Sequence, residues 1–143
     1  MTARVLSFGE LTREQLFRIM EVRSRVFVLE QKITRCAELD EVDLQCLHVF
    51  LEEADGSILA YARCYGSGGS AHIGRVLTAV RGKGDGRRVM DEAVRACRER
   101  LGAGDIVLSS QHQVIGFYEK LGFSITSAPY DECGIEHVEM VLR

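Results

Sequence analysis

Ile73-Gly74-Arg75-Val76-Leu77-Thr78-Ala79-Val80-Arg81-Gly82-Lys83-Gly84-Asp85-Gly86-Arg87-Arg88 is the stretch on which the fold turns. Its first half is an apolar strand, and glycines at 82, 84 and 86 then make a turn from which a helix departs. Glycine lets successive backbone N–H groups point into one concavity without a Cβ in the way, and a helix N-terminus adds partial positive charge. The segment therefore predicts an anion cradle with phosphate as its natural guest, and Arg81, Lys83 and Arg87 add charge at the rim. The spacing excludes two other phosphate loops. No Gly-Lys-Ser/Thr follows a four-residue spacer, and Gly82-x-Gly84-x-Gly86 is not Gly-x-Gly-x-x-Gly.

Downstream, Val89, Met90, Ala93, Val94, Cys97 and Leu101 form one helical stripe, ended by Gly102 and Gly104. Ile106-Val107-Leu108 reads as a short buried strand, 113–121 as a helix closed by Gly122, and about 123–128 and 136–142 as two final strands. Upstream, Arg4 to Phe8 is a strand, and Thr12 with Gln15 forms a capping box for a helix to about Leu29. Strands around 47–52 and 58–65 join through Asp55-Gly56, and a glycine-serine turn at 66–70 precedes the strand His72 to Ala79. The expectation is an α/β (α+β) fold over 1–143 as one domain. It has a mixed, mostly antiparallel central sheet of six to seven strands and helices on both faces.

Composition narrows the classes. The chain of 143 residues is 46% hydrophobic and 27% charged, and its apolar runs fall far short of a membrane helix. Met1 to Glu10 has no apolar run of signal-peptide length, so a cytoplasmic protein is expected. Net charge is −3, which offers no field for nucleic acid. The charge is uneven: 81–100 carry seven basic and four acidic residues, whereas 38–55 carry seven acidic residues and no Lys or Arg. The acidic stretch favours a cationic small-molecule or peptide partner. Five cysteines without a Cys-x-x-Cys pair predict neither a disulfide framework nor a zinc site, and no metal is expected. Exposed sheet edges in such a fold are compatible with a homodimer.

Arg81-x-x-Gly84-x-Gly86, between strand and helix, resembles the pyrophosphate motif of the GNAT superfamily of N-acetyltransferases. Gln111-x-x-Val114-x-x-Phe117-Tyr118-x-Lys120-x-Gly122-Phe123 is similar to that superfamily's Asn-x-x-Ala-x-x-Phe-Tyr-x-Lys-x-Gly-Phe helix. Arg23-x-x-Val26-Phe27-Val28-x-Glu30-Gln31, Glu38-x-Asp40-x-x-Asp43-Leu44, His48 and Tyr130-Asp131-Glu132-x-Gly134-Ile135-x-His137 resemble the ElaA-like branch. Three departures stand out. About two residues are missing before Arg81, Gln111 replaces Asn, and Glu136 occupies a position often held by Pro.

The resemblance implies acetyl-CoA as co-substrate in a cleft between the strands 73–79 and 106–110. Main-chain groups of Val76, Leu77 and Thr78 would pair with the pantetheine arm, and Arg81, Gly82, Lys83, Gly84, Asp85, Gly86 and Arg87 would hold the pyrophosphate. Gln111 joins the cofactor-binding set. Tyr118 is implied both as a cofactor contact and as the catalytic donor to the departing thiolate. For the base, Glu30, Glu38, Asp40, Asp43, His72, His112 and His137 are all open. The cysteines lack a histidine motif for nucleophilic activation, so direct attack by a primary amine in a ternary complex is expected over an acyl-cysteine route. A non-catalytic acyl-CoA-binding or sensing module is the alternative, and a protein-interaction domain is the third class.

Overall fold

Thr12 accepts a hydrogen bond from the Gln15 amide at 3.0 Å and donates its own amide to Gln15 Oε1 at 3.0 Å, so the capping box starts α1 (Arg13–Arg23) as the sequence predicts. The helical course continues over Ser24–Glu30, but with wider i→i+5 turns, as in the 3.0 Å bond from the Gln31 amide to the Val26 carbonyl. An apolar stripe cannot distinguish that widening from ordinary helix. The computed structural model describes residues 1–66 and 68–143. The turn expected at 66–70 includes Ser67, which lies outside them.

The strands are β1 (Thr2–Ser7), β2 (Leu47–Glu52), β3 (Ile58–Tyr65), β4 (Ser70–Thr78), β5 (Asp105–Gln111), β6 (Ser124–Ile125), β7 (Tyr130–Glu132) and β8 (Ile135–Leu142). The helices α2 (Asp85–Leu101) and α3 (Ile115–Lys120) flank β5 in sequence. The sheet order is β1-β2-β3-β4-β5-β8-β6, with β7 paired to β8, and among the described strands only β4–β5 is parallel. The mixed, mostly antiparallel class is thus as expected, with eight strands in place of six to seven. The addition is β7, whose three residues are too short to show a period.

Alternation along the strands sends side chains to two faces. Val49, Leu51, Ala60, Ala62 and Cys64 pack with Val89, Met90, Ala93 and Cys97 of α2, while Phe50, Ile58, Tyr61 and Leu77 pack with Ile19, Val22, Val26 and Phe27 on the opposite face. Ala93, Ala96 and Cys97 keep α2 close to the sheet, and Cys64 Sγ lies 3.6 Å from the Ala93 carbonyl. The helix ends at Gly102 (φ 64°), with the Ala103 amide bonded to the Cys97 carbonyl at 3.0 Å.

The feature that creates the site is an irregularity in β4. Tyr61 pairs with Leu77 and Arg63 with Gly74, so β4 holds one residue more than β3 across this interval. Arg75 absorbs it in the left-handed region, at φ 54°. The strand bends there. Its parallel pairing with β5 runs from Ser70↔Asp105 to Ile73↔Leu108 and then stops, leaving the facing edges of 74–78 and 109–111 apart.

One expectation is corrected. Cys36 and Cys133 form a disulfide, with Cα atoms 5.6 Å apart across a sequence separation of 97, whereas Cys46, Cys64 and Cys97 are buried free thiols. Local spacing carries no signal for such a pair, because only the β7–β8 turn brings Cys133 over the irregular segment that holds Cys36. Closing so long a loop restricts the unfolded chain, so Cys36→Ser should lower stability by roughly 2–4 kcal/mol. Thermal melts of the variant and of the native chain in dithiothreitol should show the same loss. Equal melting points with and without reductant would contradict it.

Candidate active site

Where β4 and β5 part, a cavity of about 1120 Å³ opens. Val76, Leu77, Thr78, Arg81, Gly82, Gly84, Gly86, Arg87, Gln111 and Tyr118 line it, so ten of the twelve residues singled out from the sequence meet there. Lys83 is exposed and Asp85 is buried, and neither lines the cavity. The Asp85 carboxylate instead accepts a hydrogen bond from Arg88 at 3.2 Å across the first turn of α2.

At one end of the cavity is the turn before α2. Gly82 and Gly84 lie at φ 82° and 78°, conformations that disfavour an L side chain. The Arg88 amide bonds the Gly84 carbonyl at 3.2 Å, so the amides preceding it in the first turn have no helical acceptor and remain available to an anion. Gly86 is small for a different reason. A Cβ there would sit 3.3 Å from Phe117 Cζ and 3.4 Å from Thr78 Cγ2, so the bare backbone lets α2 seat against both β4 and α3.

Tyr118 reaches the cavity from the α2 side of the sheet. Its ring packs edge-on against Phe117 and Phe123, at centroid distances of 5.0 and 6.0 Å, and the residue is 7% exposed. Burial pushes the phenol up from its ordinary value of 10, so it stays protonated at neutral pH and acts as a donor.

On the other face, the acidic stretch is neutralised from within. Arg23, fully buried, donates to Glu38 at 2.8 Å and to the two Asp43 oxygens at 2.7 and 3.2 Å. Arg63 donates to Asp40 at 2.7 and 3.0 Å and to Asp43 at 3.0 Å, and Arg75 donates to Glu38 at 3.0 Å. Three carboxylates thus meet three guanidiniums. The Arg63 bond holds the Asp40 carboxyl below its ordinary 3.8. For Asp43, burial pushes upward, but the Arg23 bond and charge, the Asp40 amide and Arg63 outweigh it. Arg63 Nε is buried without a partner among the described residues.

These pairings carry no local signal in the sequence, because Arg23, Arg63 and Arg75 lie outside the acidic run along the chain. His48 completes the cluster. Its Nε2 donates to the Asp43 carbonyl at 2.9 Å, and its Nδ1 accepts from the Tyr61 hydroxyl at 2.6 Å, so burial keeps the ring neutral. Asp43, Cys46 and His48 bring potential ligand atoms within 4.8 Å of one another, yet the Asp43 and His48 donors are already bound inside the protein.

The chain matches the family model described as an acetyltransferase (GNAT) domain over residues 12–143. It is 39% identical over 142 residues to UPF0039 protein C11D3.02c of Schizosaccharomyces pombe, covering 95% of this chain and 93% of that one. Protein ElaA of Escherichia coli is 30% identical over 142 residues, covering 94% and 92%. A crystal structure of E. coli ElaA superposes with a TM-score of 0.91 over 100% of both chains. An acyl-CoA N-acyltransferase from Pseudomonas aeruginosa, 30% identical, superposes with a TM-score of 0.90 over 99% of both. No helix among the described residues is long and apolar enough to cross a membrane.

Proposed function

This chain belongs to the GNAT acetyltransferase family, and from that premise we propose that it moves an acetyl group from acetyl-CoA to a primary amine by direct attack in a ternary complex. The observation that carries the reading is one cavity joining a free strand edge at 74–78 to the uncapped first turn of α2. A strand edge offers alternating N–H and C=O groups to an extended amide-bearing arm, which is the form of pantetheine. The first turn of α2, with Arg81 and Arg87 on the wall, suits a diphosphate.

In this reading a main-chain amide near Val76 or Leu77 polarises the thioester carbonyl, stabilising the charge that develops on its oxygen. The amine lone pair forms the C–N bond and the C–S bond breaks. Tyr118 donates a hydrogen bond to the leaving thiolate, whose thiol has an ordinary value of about 8.5 and is therefore easily reprotonated. A preference for cationic acceptors cannot come from Glu38, Asp40 and Asp43, which the arginines engage. It rests on Glu30, Glu132 and Glu139, which also line the cavity.

Incubating the chain with acetyl-CoA and a panel of diamines, aminoglycosides and lysine peptides should release free thiol and add the mass of one acetyl group to an amine. Absence of both would reduce the reading to acyl-CoA binding without transfer. Tyr118→Phe should lower kcat about 10²-fold while coenzyme A affinity stays within about threefold. Undiminished turnover would remove Tyr118 from the chemistry.

A further inference from the structure

Of the seven candidates for the base, the structure disqualifies several on geometry. Glu38, Asp40 and Asp43 are bound to arginines, so their oxygens are already engaged by guanidinium donors. His112 has a side chain 72% exposed, pairs with Glu136 and does not line the cavity. His72 lines the cavity but is exposed and stacks on Tyr65. Glu30 lies on the wall as an exposed carboxylate.

His137 differs from all of these. It is 6% exposed, lines the cavity, and sits on β8 directly opposite Gln111 of β5 and Tyr130 of β7. Its neighbours Val138 and Met140 belong to the α2-side cluster. Of these, Val138 sits one residue along the strand, so alternation turns His137 to the opposite face from Tyr118. The Tyr130 ring stacks on the imidazole at 6.3 Å between centroids and 24° between planes, and the Tyr130 hydroxyl is hydrogen-bonded to Ser109.

The tautomer follows from one contact. His137 Nδ1 lies 2.8 Å from the Ile135 carbonyl oxygen, which can only accept, so Nδ1 bears the hydrogen and donates it. A neutral ring then has its lone pair on Nε2. That atom is 3.4 Å from a Glu132 oxygen, on a carboxylate whose side chain is 48% exposed. An imidazole lone pair beside a carboxylate presents two acceptors together. Such a pair suits a cation that brings protons and gives one up, which describes an alkylammonium.

We infer that His137 is the general base of the acyl transfer, with Glu132 receiving the acceptor's ammonium group beside it. This assignment deepens the transferase reading and rests on it. Nε2 takes one proton from R–NH3⁺, and the freed nitrogen lone pair forms the C–N bond at the acetyl carbon. The C–S electron pair leaves on sulfur. The nitrogen's second proton ends on the coenzyme A thiol with Tyr118 as the donor at that side, and the His137 proton passes to water. Glu132 and Tyr130 of β7 lie against His137, Glu139 shares its face of β8, and Glu30, His72 and the Glu38, Asp40, Arg63 and Arg75 cluster line the same cavity.

His137→Asn keeps a donor for the Ile135 carbonyl and removes the Nε2 lone pair. With an amine that the native chain accepts, it should lose about 10²-fold or more in kcat at neutral pH, with coenzyme A affinity unchanged. Its residual rate should climb steadily with pH as free amine accumulates, and added imidazole should restore part of the lost rate at neutral pH. Glu132→Gln, an exposed change that spares the fold, should raise the KM for the amine about tenfold or more and leave coenzyme A affinity unchanged. Wild-type turnover accompanied by an undiminished His137→Asn rate, or by an amine KM that Glu132→Gln leaves in place, overturns the His137 and Glu132 assignment alone. A native chain that acetylates no amine overturns the transferase reading and this assignment with it.

Discussion

Arg23→Leu should destabilise the fold by about 3–5 kcal/mol, because it leaves Glu38 and Asp43 buried or half-buried without their main counter-charge. Urea titration should show the loss as a lower midpoint, and the melting temperature should fall by about 10 °C or more. The guanidinium is fully buried, makes hydrogen bonds to two carboxylates and the Glu38 carbonyl, and lies 3.4 Å from the Tyr61 hydroxyl. A leucine can fill the volume and satisfy none of these. The same residues predict an acid sensitivity. Asp40 and Asp43 titrate below their ordinary 3.8 in the folded chain, so the stability they confer is complete above that value and lost as pH falls through the folded values. In Arg23→Leu the share due to the Arg23–Asp43 pair is already gone, and the acid decline should be shallower than in the native chain. An unchanged midpoint in urea would mean the cluster is incidental to stability.

Gly86→Leu should weaken coenzyme A binding by about 10²-fold or more with the secondary structure retained. Even the first added carbon would press on Phe117 at 3.3 Å and Thr78 at 3.4 Å, and a leucine's branch cannot be placed without moving the first turn of α2 off β4 and α3. Displacement would cost two or three charge-assisted hydrogen bonds from the amides of that turn, each worth roughly 1.5–3 kcal/mol, and about 2.7 kcal/mol corresponds to the hundredfold change. Isothermal titration calorimetry with coenzyme A measures it, and circular dichroism checks the fold. Gly86→Ala, needing only a few tenths of an ångström of adjustment, should fall between. Binding of native strength by Gly86→Leu would show that the diphosphate sits elsewhere.

Much of this was legible along the chain because the signals are local. Thr12 and Gln15 announce α1, the stripe from Val89 to Leu101 announces α2, and the glycines at 82, 84 and 86 announce the turn between β4 and α2. What escaped depends on partners distant in sequence. Charge counting saw seven acids in 38–55 but could not see that Arg23, Arg63 and Arg75 come to meet three of them. Nothing in Gly74-Arg75-Val76 marks Arg75 for a positive φ, which a glycine would have signalled. His137 stood among seven candidates until the hairpin placed the Ile135 carbonyl against its Nδ1, which fixes where the lone pair lies. The Cys36–Cys133 bond likewise needs the hairpin to exist first.

The extra residue at Arg75 fixes a parity. Beyond it, Val76, Leu77 and Thr78 point alternately to the two faces, and adding or removing one residue between 74 and 78 would exchange Leu77, buried beside Phe27, with its neighbours. Length changes in this strand are therefore confined to pairs of residues. The turn at 79–84 obeys no such arithmetic, since after the Ala79 amide bonds Leu59 no ladder constrains it. That turn, and not the strand before it, is where this fold can absorb a change of any length and still deliver α2 to the sheet.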